Sequence, residues 1–456
     1  MTAPPTGRLR RDLGRLESYA LLLGILVGAG IFRVTSDAWA LTGPSVVLGY
    51  LVLAPVVLAT SIPYAVFLST PLGLTAGGEY THITRTFGSP GLAFVVAWLK
   101  IIAYIGALAY LAQTFADYVL HGLSPIGGAP LLVALSVLAF FLFIHARGVR
   151  WFGTLQVLMC LVLGVSILVL VVPGCFAIVP ANYSPFFTAG VSGFLAALAP
   201  LFFAYAGFES LAQAAGEVRD STRHLPGVFL RGLLATTVVF ASMSAVAFGV
   251  LPGESLRGST APMADVARVY LPRAGSVVVV LGALMAITTS INATMLVPSR
   301  LALMLAADGL APAWLGQVHP RYGTPRRGLL LTFALASLLL ASGQLSVALH
   351  IAVLAMVLLY LLHSLALLAL PRRDPVLFAS RTVRIPVWLQ RGAALLSVLA
   401  MTGLVLVIVV RDVRALRAET LQARLAGGRL TSLELLCGWS AAGLALHTVV
   451  RRRRAP

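Results

Sequence analysis

The stretch Gly24-Ile25-Leu26-Val27-Gly28-Ala29-Gly30-Ile31-Phe32 decides the fold. It lies within an apolar run, residues 17–41, long enough to cross a bilayer as a helix. Gly28 and Gly30 fall in the middle of that run, where each costs about 1 kcal/mol relative to alanine in a helix. Open backbone at membrane depth is tolerated only where it lines a cavity or is buried in protein. The stretch therefore admits two readings. Either the helix breaks here and the freed amides hold a ligand, or small residues let a neighbouring helix approach closely.

The surrounding composition fixes the solvent. Of 456 residues, 59% are hydrophobic and 11% charged, with a mean hydropathy of +0.95; soluble chains carry about 25% charged residues. The chain reads as an all-α polytopic membrane protein with too little polar sequence for a separate soluble domain. The first run is too long for a signal-peptide core, so no cleaved leader is expected. The net charge of +18 invites a nucleic-acid reading, but the basic residues sit in short loops between apolar runs, the pattern that sets membrane orientation. No nucleic-acid partner is expected. Cys160, Cys175 and Cys437 form no CxxC, so neither a disulfide framework nor a metal site is expected.

Twelve runs are long enough to span: 17–41, 44–69, 90–120, 129–147, 152–173, 190–216, 226–252, 276–306, 328–342, 345–370, 392–410 and 431–449. Only Ser342-Gly343 divides the ninth from the tenth. Twelve spans put both termini on one side. With the N-terminus inside, the inner loops and tails hold more than twice as many arginines as the outer ones, which predicts cytoplasmic termini in a cell (inner) membrane. Residues 411–430 fit poorly, because five arginines would then lie outside. An interfacial amphipathic helix, a solvated linker or a shifted span count would each explain them.

The sixth run repeats the anomaly of the first. In Pro200-Leu201-Phe202-Phe203-Ala204-Tyr205-Ala206-Gly207-Phe208-Glu209-Ser210 a glycine again sits mid-span, with a proline before it and a carboxylate after it. Spans one and six are separated by an odd number of crossings, so they run in opposite directions. Interrupted helices at corresponding places in two opposed halves are the mark of an inverted repeat. In such folds the positive ends of half-helices face an anion while freed carbonyls face a cation. A zwitterion satisfies both.

Here the sequence resembles the amino acid–polyamine–organocation (APC) superfamily. Gly28-Ala29-Gly30-Ile31-Phe32 is similar to its GxG-I/V-F signature, and Phe202 to Glu209 to its FxFxGFE signature. Glu217 to Pro226 resembles its E-x-K/R-[ND]-P-x-R-x-x-P loop, with Ser221 where a proline stands. Arg300 followed by Asp308-Gly309-Leu310-Ala311-Pro312 resembles R-x(6–7)-DG-x-x-P, and Gly77-Gly78-Glu79-Tyr80 matches GG-x-Y. The resemblance implies a LeuT-type fold: a cytoplasmic segment 1–16, repeats over 17–173 and 190–370, two accessory spans within 392–449 and a basic tail 450–456. It also implies a transporter of amino acids or small amines. The amides around Ala29, Gly30 and Ile31 would bind the carboxylate and carbonyls near Phe202, Ala204 and Tyr205 the ammonium, with Gly28, Ala206 and Gly207 completing the substrate site and Phe203 as both lining residue and gating aromatic.

Charged groups inside spans are functional by default. Glu209 is a candidate for gating or proton coupling, or pairs with a backbone amide. Lys100 lies about 15 Å into the third span at 1.5 Å per residue. It is a candidate for coupling, or pairs with Glu209, another acid or a lipid-facing rim. The family sometimes carries its lysine on the fifth span, where this chain has Leu163. Thr288, Thr289 and Ser290, with carbonyls near Leu26 and Ala29, would suit Na⁺, or bond back to their own helix. Tyr104 and Gln113 are expected to line the pathway or pack in the core, and His350 and His363 to be packed residues.

The sequence is thus expected to encode a secondary transporter working by alternating access, without a cofactor, coupled to H⁺, Na⁺ or counter-substrate, as monomer or homodimer amid lipid. No phosphate-binding loop GxxxxGK[ST] appears, so ATP is not the expected driver. A non-transporting amino acid sensor of the same fold and a membrane-embedded transferase are the alternatives; otherwise no enzyme is expected.

Overall fold

The computed structural model describes residues 9–28, 30–31, 35–122, 129–256, 259, 262–343, 345–426 and 430–452, without side chains at 35–37, 121–122, 345–350, 425–426 and 446–452. Ala29, Phe32 and Arg429, and the side chain of His350, therefore lie outside what is described. Among the described residues every regular element is helical, apart from one isolated parallel bridge between Leu13 and Val218.

The first predicted run divides into α1 (Arg15–Leu26) and α2 (Thr35–Thr42). Then follow α3 (Val46–Leu68), a short α4 (Glu79–Phe87), α5 (Pro90–Gly122), α6 (Pro130–Ala146) and α7 (Val149–Gly174). The sixth predicted run divides in the same way, into α8 (Gly190–Ala204) and α9 (Ser210–Gln213). The remainder is α10 (Ser221–Val250), α11 (Gly253–Leu256), α12 (Pro262–Tyr270), α13 (Arg273–Ala307), α14 (Arg326–Ala341), α15 (Leu345–Arg373), α16 (Pro375–Ala379), α17 (Val387–Ala418), α18 (Leu421–Ala426) and α19 (Ser432–Arg452). Gly343, in left-handed backbone at φ +69°, makes the turn that separates α14 from α15, as Ser342-Gly343 predicted.

Seven of the described helices are long and apolar enough to cross a membrane, and α6 and α8 are shorter apolar ones. Burial sorts them. The most apolar stretches of α5 and α15 are 67% buried, those of α7 and α17 only 28%. The first pair forms the middle of the bundle. The second presents Leu158, Leu161 and Leu168, and Leu399, Leu406 and Val407, outwards, a surface that hydrocarbon would cover.

The arginine-rich stretch after residue 410 is not a loop. Arg411, Arg414 and Arg417 occupy the last turns of α17, where positive charge suits the helix dipole. Arg411 meets Asp412 at 3.2 Å, and Arg424 of α18 meets Glu434 at 2.7 Å. The last helix docks through Trp98 and Trp439. Their rings stack at 4.3 Å and each indole N–H donates to the other's carbonyl, at 2.7 and 2.9 Å.

Candidate functional site

Both breaks arise from local backbone chemistry. In α8, Pro200 removes one amide from the helix ladder. Beyond Ala204 the chain tightens into i→i+3 turns, Tyr205 N to Phe202 O at 3.0 Å and Ala206 N to Phe203 O at 2.9 Å. Gly207 then takes φ +105°, a conformation that side-chain-bearing residues rarely adopt. In the first run α1 ends at Leu26, Gly30 and Ile31 lie in π-helical backbone, and α2 is described from Thr35.

The glycines of the opening stretch do two different jobs. A Cβ on Gly24 would come 2.4 Å from Gln156 Nε2, and one on Gly28 would lie 1.8 Å from Ser290 Oγ. These two let α1 pack closely on α7 and α13. Gly30 and Gly207 serve the breaks themselves. A Cβ on Gly30 would sit 3.0 Å from Ala204 Cα, and one on Gly207 would sit 3.0 Å from Ile25. Each break thus presses its glycine against the other broken helix.

Where they meet lies a cavity of about 70 Å³, room for about two waters at their liquid volume. Gly30, Phe203, Ala204, Ala206 and Gly207 line it together with Ile25, Leu26, Tyr104, Tyr110, Ser290, Thr294 and Met356. Phe203 and Tyr110 also line a larger cleft of about 900 Å³ between α8, α15 and α17, bordered by Arg411 and Arg414. Phe202 faces that cleft. Ile31 is fully buried. Tyr205 points into the scaffold, donating to Tyr50 O at 3.2 Å and to Thr237 Oγ1 at 3.1 Å. Gln113 bonds Asp117 on an exposed face, away from the pathway that Tyr104 lines.

Glu209 is buried against the second break. Its carboxylate accepts from Tyr104 Oη at 2.7 Å, from Tyr360 Oη at 2.5 Å and from the Gly207 amide at 3.1 Å. Three converging donors suit an ionised, acceptor-only carboxylate. Of the partners weighed from sequence, the backbone amide is present, and the two tyrosines add to it. Tyr360 carried no signal of its own among the residues of span ten.

Lys100 does have an acid partner, and it is Glu79. Both side chains are fully buried and Lys100 Nζ donates to Glu79 Oε1. On the same helix as Glu79, His82 Nδ1 lies 3.0 Å from His363 Nε2.

The hydroxyl group expected at a cation site divides. Thr289 Oγ1 donates to Gly24 O at 2.8 Å, and Ser290 Oγ lies 3.3 Å from the carbonyls of Gly24 and Ile25. Thr288 bonds back to Leu284 O and Met285 O and faces a separate apolar cleft between α5, α6 and α7. Thr289 and Ser290 meet α1, each also within reach of Ala286 O on its own helix, and Thr288 turns away from it.

One end of the bundle is tied shut by the sequence motifs themselves. Arg300 makes a bidentate pair with Glu217, at 3.0 and 2.9 Å, fully buried. Tyr80 donates to Asp308 at 2.5 Å, and Gln213 to Gly77 O at 2.7 Å. Burial, and the Asp308 carboxylate beside it, hold the Tyr80 phenol well above its usual range. Ser221, standing where the resemblance expects proline, donates to Gly73 O at 2.5 Å. Leu13 is strapped across this end through Leu13 N to Glu217 O and Arg219 N to Leu13 O, at 3.0 and 2.8 Å.

Comparison with known proteins agrees with this architecture. A family model described as amino acid permease matches residues 13–416. The branched-chain amino acid permease BcaP of Bacillus subtilis is 26% identical over 70% of this chain and 71% of the relative. The methylthioribose transporter of the same organism is 27% identical over 82% and 84%. The chloroplastic cationic amino acid transporter 9 of Arabidopsis thaliana is 29% identical over 68% and 58%. With its two broken helices meeting at a cavity and its motifs joined in space, the chain belongs to the amino acid permease family of the APC superfamily.

Proposed function

We propose that this protein is a secondary transporter of amino acids with apolar side chains. It would span the cell membrane twelve times, with cytoplasmic termini and opposed repeats over 17–173 and 190–370. The observation that carries the reading is the contact between the two breaks at Gly30 and Gly207 around one small cavity. Antiparallel broken helices bring amide ends and carbonyl ends to a single point, which suits a zwitterion. The wall around that point is aliphatic and aromatic, with hydroxyls but no charged side chain among the described residues that line it. Such a wall favours an uncharged side chain of moderate size over a polyamine or a basic amino acid.

Alternating access follows from the asymmetry of the two ends. The end carrying Leu13, Glu217, Arg300 and Asp308 is closed by hydrogen bonds and an ion pair. Toward the other end Phe203 and Tyr110 line both the cavity and the wide cleft. We read this as a state closed to the cytoplasm, with Phe203 as the outer gate. Uptake of tritiated leucine by liposomes containing the purified protein tests the function, with lysine and spermidine as competitors. Leucine uptake blocked by isoleucine or valine but not by lysine is expected. Uptake absent for every apolar amino acid, or chemical conversion of the substrate, would overturn the proposal.

A further inference from the structure

Behind the second break lies a group of ionisable side chains that binding of a zwitterion does not use. Glu79 of α4 and Lys100 of α5 form an ion pair with no exposed surface. Lys100 Nζ lies 5.5 Å from the centre of the Tyr104 ring, and the Tyr104 hydroxyl donates to Glu209, which in turn holds the Gly207 amide. From α15, Tyr360 bonds Glu209 and His363 bonds His82 of α4. From α3, Tyr64 packs its ring 4.1 Å from that of His363. These are the titratable groups facing the pair from each helix packed around it.

The charges do not balance. Glu79 and Glu209 are two carboxylates against one ammonium, Lys100. In an Nδ1···Nε2 bond one histidine donates and the other accepts, and a neutral pair satisfies this. An unmatched buried charge is costly. One oxygen marks where the deficit falls: Glu79 Oε1 is held by Lys100, whereas Glu79 Oε2 is buried with no hydrogen-bond partner among the described residues. Buried carboxylate oxygens are ordinarily satisfied, and a protonated oxygen is the neutral form such a place favours.

We infer that Glu79 is a proton-binding site, its Oε2 taking one proton that neutralises the Glu79–Lys100–Glu209 group. The proton converts the Glu79 carboxylate to a carboxylic acid and no other bond is made or broken. Lys100 then faces Glu209 alone across Tyr104. Because Glu209 is bonded to the amide at the break, the proton load is felt at the substrate cavity. This deepens the transporter reading above and rests on it for its coupling role, though not for the binding of the proton.

The test uses full-length protein and two independent readouts. Infrared difference spectra between alkaline and mildly acidic buffer, without substrate, report carboxyl protonation. Wild type is expected to gain a protonated-carboxyl band that Glu79→Gln lacks; a wild-type spectrum without it, or a band unchanged in Glu79→Gln, would overturn the site. In liposomes, an outward-acid gradient is expected to drive about tenfold leucine accumulation per pH unit for one proton per substrate. Glu79→Gln is expected to lose that accumulation and keep leucine counterflow at equal pH; accumulation as in wild type would overturn the coupling. Glu79→Gln/Lys100→Met removes both charges together, guards against misfolding from an orphaned lysine, and should behave as Glu79→Gln does. Absent counterflow in wild type with the infrared band present would refute the transporter reading while supporting the proton site.

Discussion

Replacing Gly207 with alanine separates two forces that the second break combines. The first is conformational: φ +105° costs an alanine about 1–3 kcal/mol. The second is steric, because the new methyl would lie 3.0 Å from both Cδ1 and Cγ1 of Ile25 on the other broken helix. Overpacking of this kind costs about 1–3 kcal/mol. Only the steric share depends on Ile25. Gly207→Ala should therefore weaken leucine binding by about 2–6 kcal/mol, or at least about 30-fold. Ile25→Ala/Gly207→Ala should recover about 1–2 kcal/mol of it, a coupling that a double-mutant cycle reads directly. Scintillation-proximity binding to detergent-purified protein, with thermal melts to show that each variant folds, supplies the four affinities. A double variant no better than Gly207→Ala would mean that the two breaks do not press on each other. Undiminished binding by Gly207→Ala itself would remove the argument for a substrate site at the break.

Other parts of the structure make their own predictions. Tyr360→Phe takes one donor from Glu209 and should cost about 1.5–3 kcal/mol, read as a lower melting temperature together with weaker leucine binding; Glu209→Gln should lose less than this, because the Tyr104 hydroxyl can turn to accept from the new amide. Removing one partner of the buried pair, as in Arg300→Met, should cost about 3–5 kcal/mol, and Glu217→Gln/Arg300→Met should melt higher than Arg300→Met. Trp439→Ala should speed hydrogen exchange over residues 432–445 while leaving leucine affinity unchanged, since Trp98 and Trp439 hold α19 to α5 away from the cavity. Replacing Na⁺ with choline should leave uptake unaltered, because the Thr289 and Ser290 hydroxyls are already committed to carbonyls of α1.

The helix breaks were legible because glycine and proline in an apolar run violate a local rule, and the violation needs no partner to be seen. Gly30 and Gly207 could thus be singled out from the sequence, though not separated from Gly24 and Gly28, whose packing role depends on Gln156, Thr289 and Ser290 across the bundle. Orientation about a helix axis was equally hidden: Thr288 to Ser290 read as one group, yet successive residues turn through about 100°. Partners across long separations were the least legible. Lys100 is the only lysine in the chain and had to meet an acid, but Glu79 opens α4, a short helix before the third span that the apolar pattern leaves out. Likewise the motifs mark Glu217 and Arg300 separately, and only the fold brings them into a pair across 83 residues.

The strap between Leu13 and Val218 has a consequence for biosynthesis. Leu13 leaves the ribosome about two hundred residues before its partner, some 10–40 s at typical elongation rates of about 5–20 residues per second. Through that interval the leading segment has nothing to pair with. The seal at this end therefore forms only after the second broken helix has been inserted, so a nascent chain whose first half is threaded incorrectly never acquires it. A bulky fusion placed directly before residue 10 would obstruct that late closure, whereas the same fusion at the other terminus would leave it free.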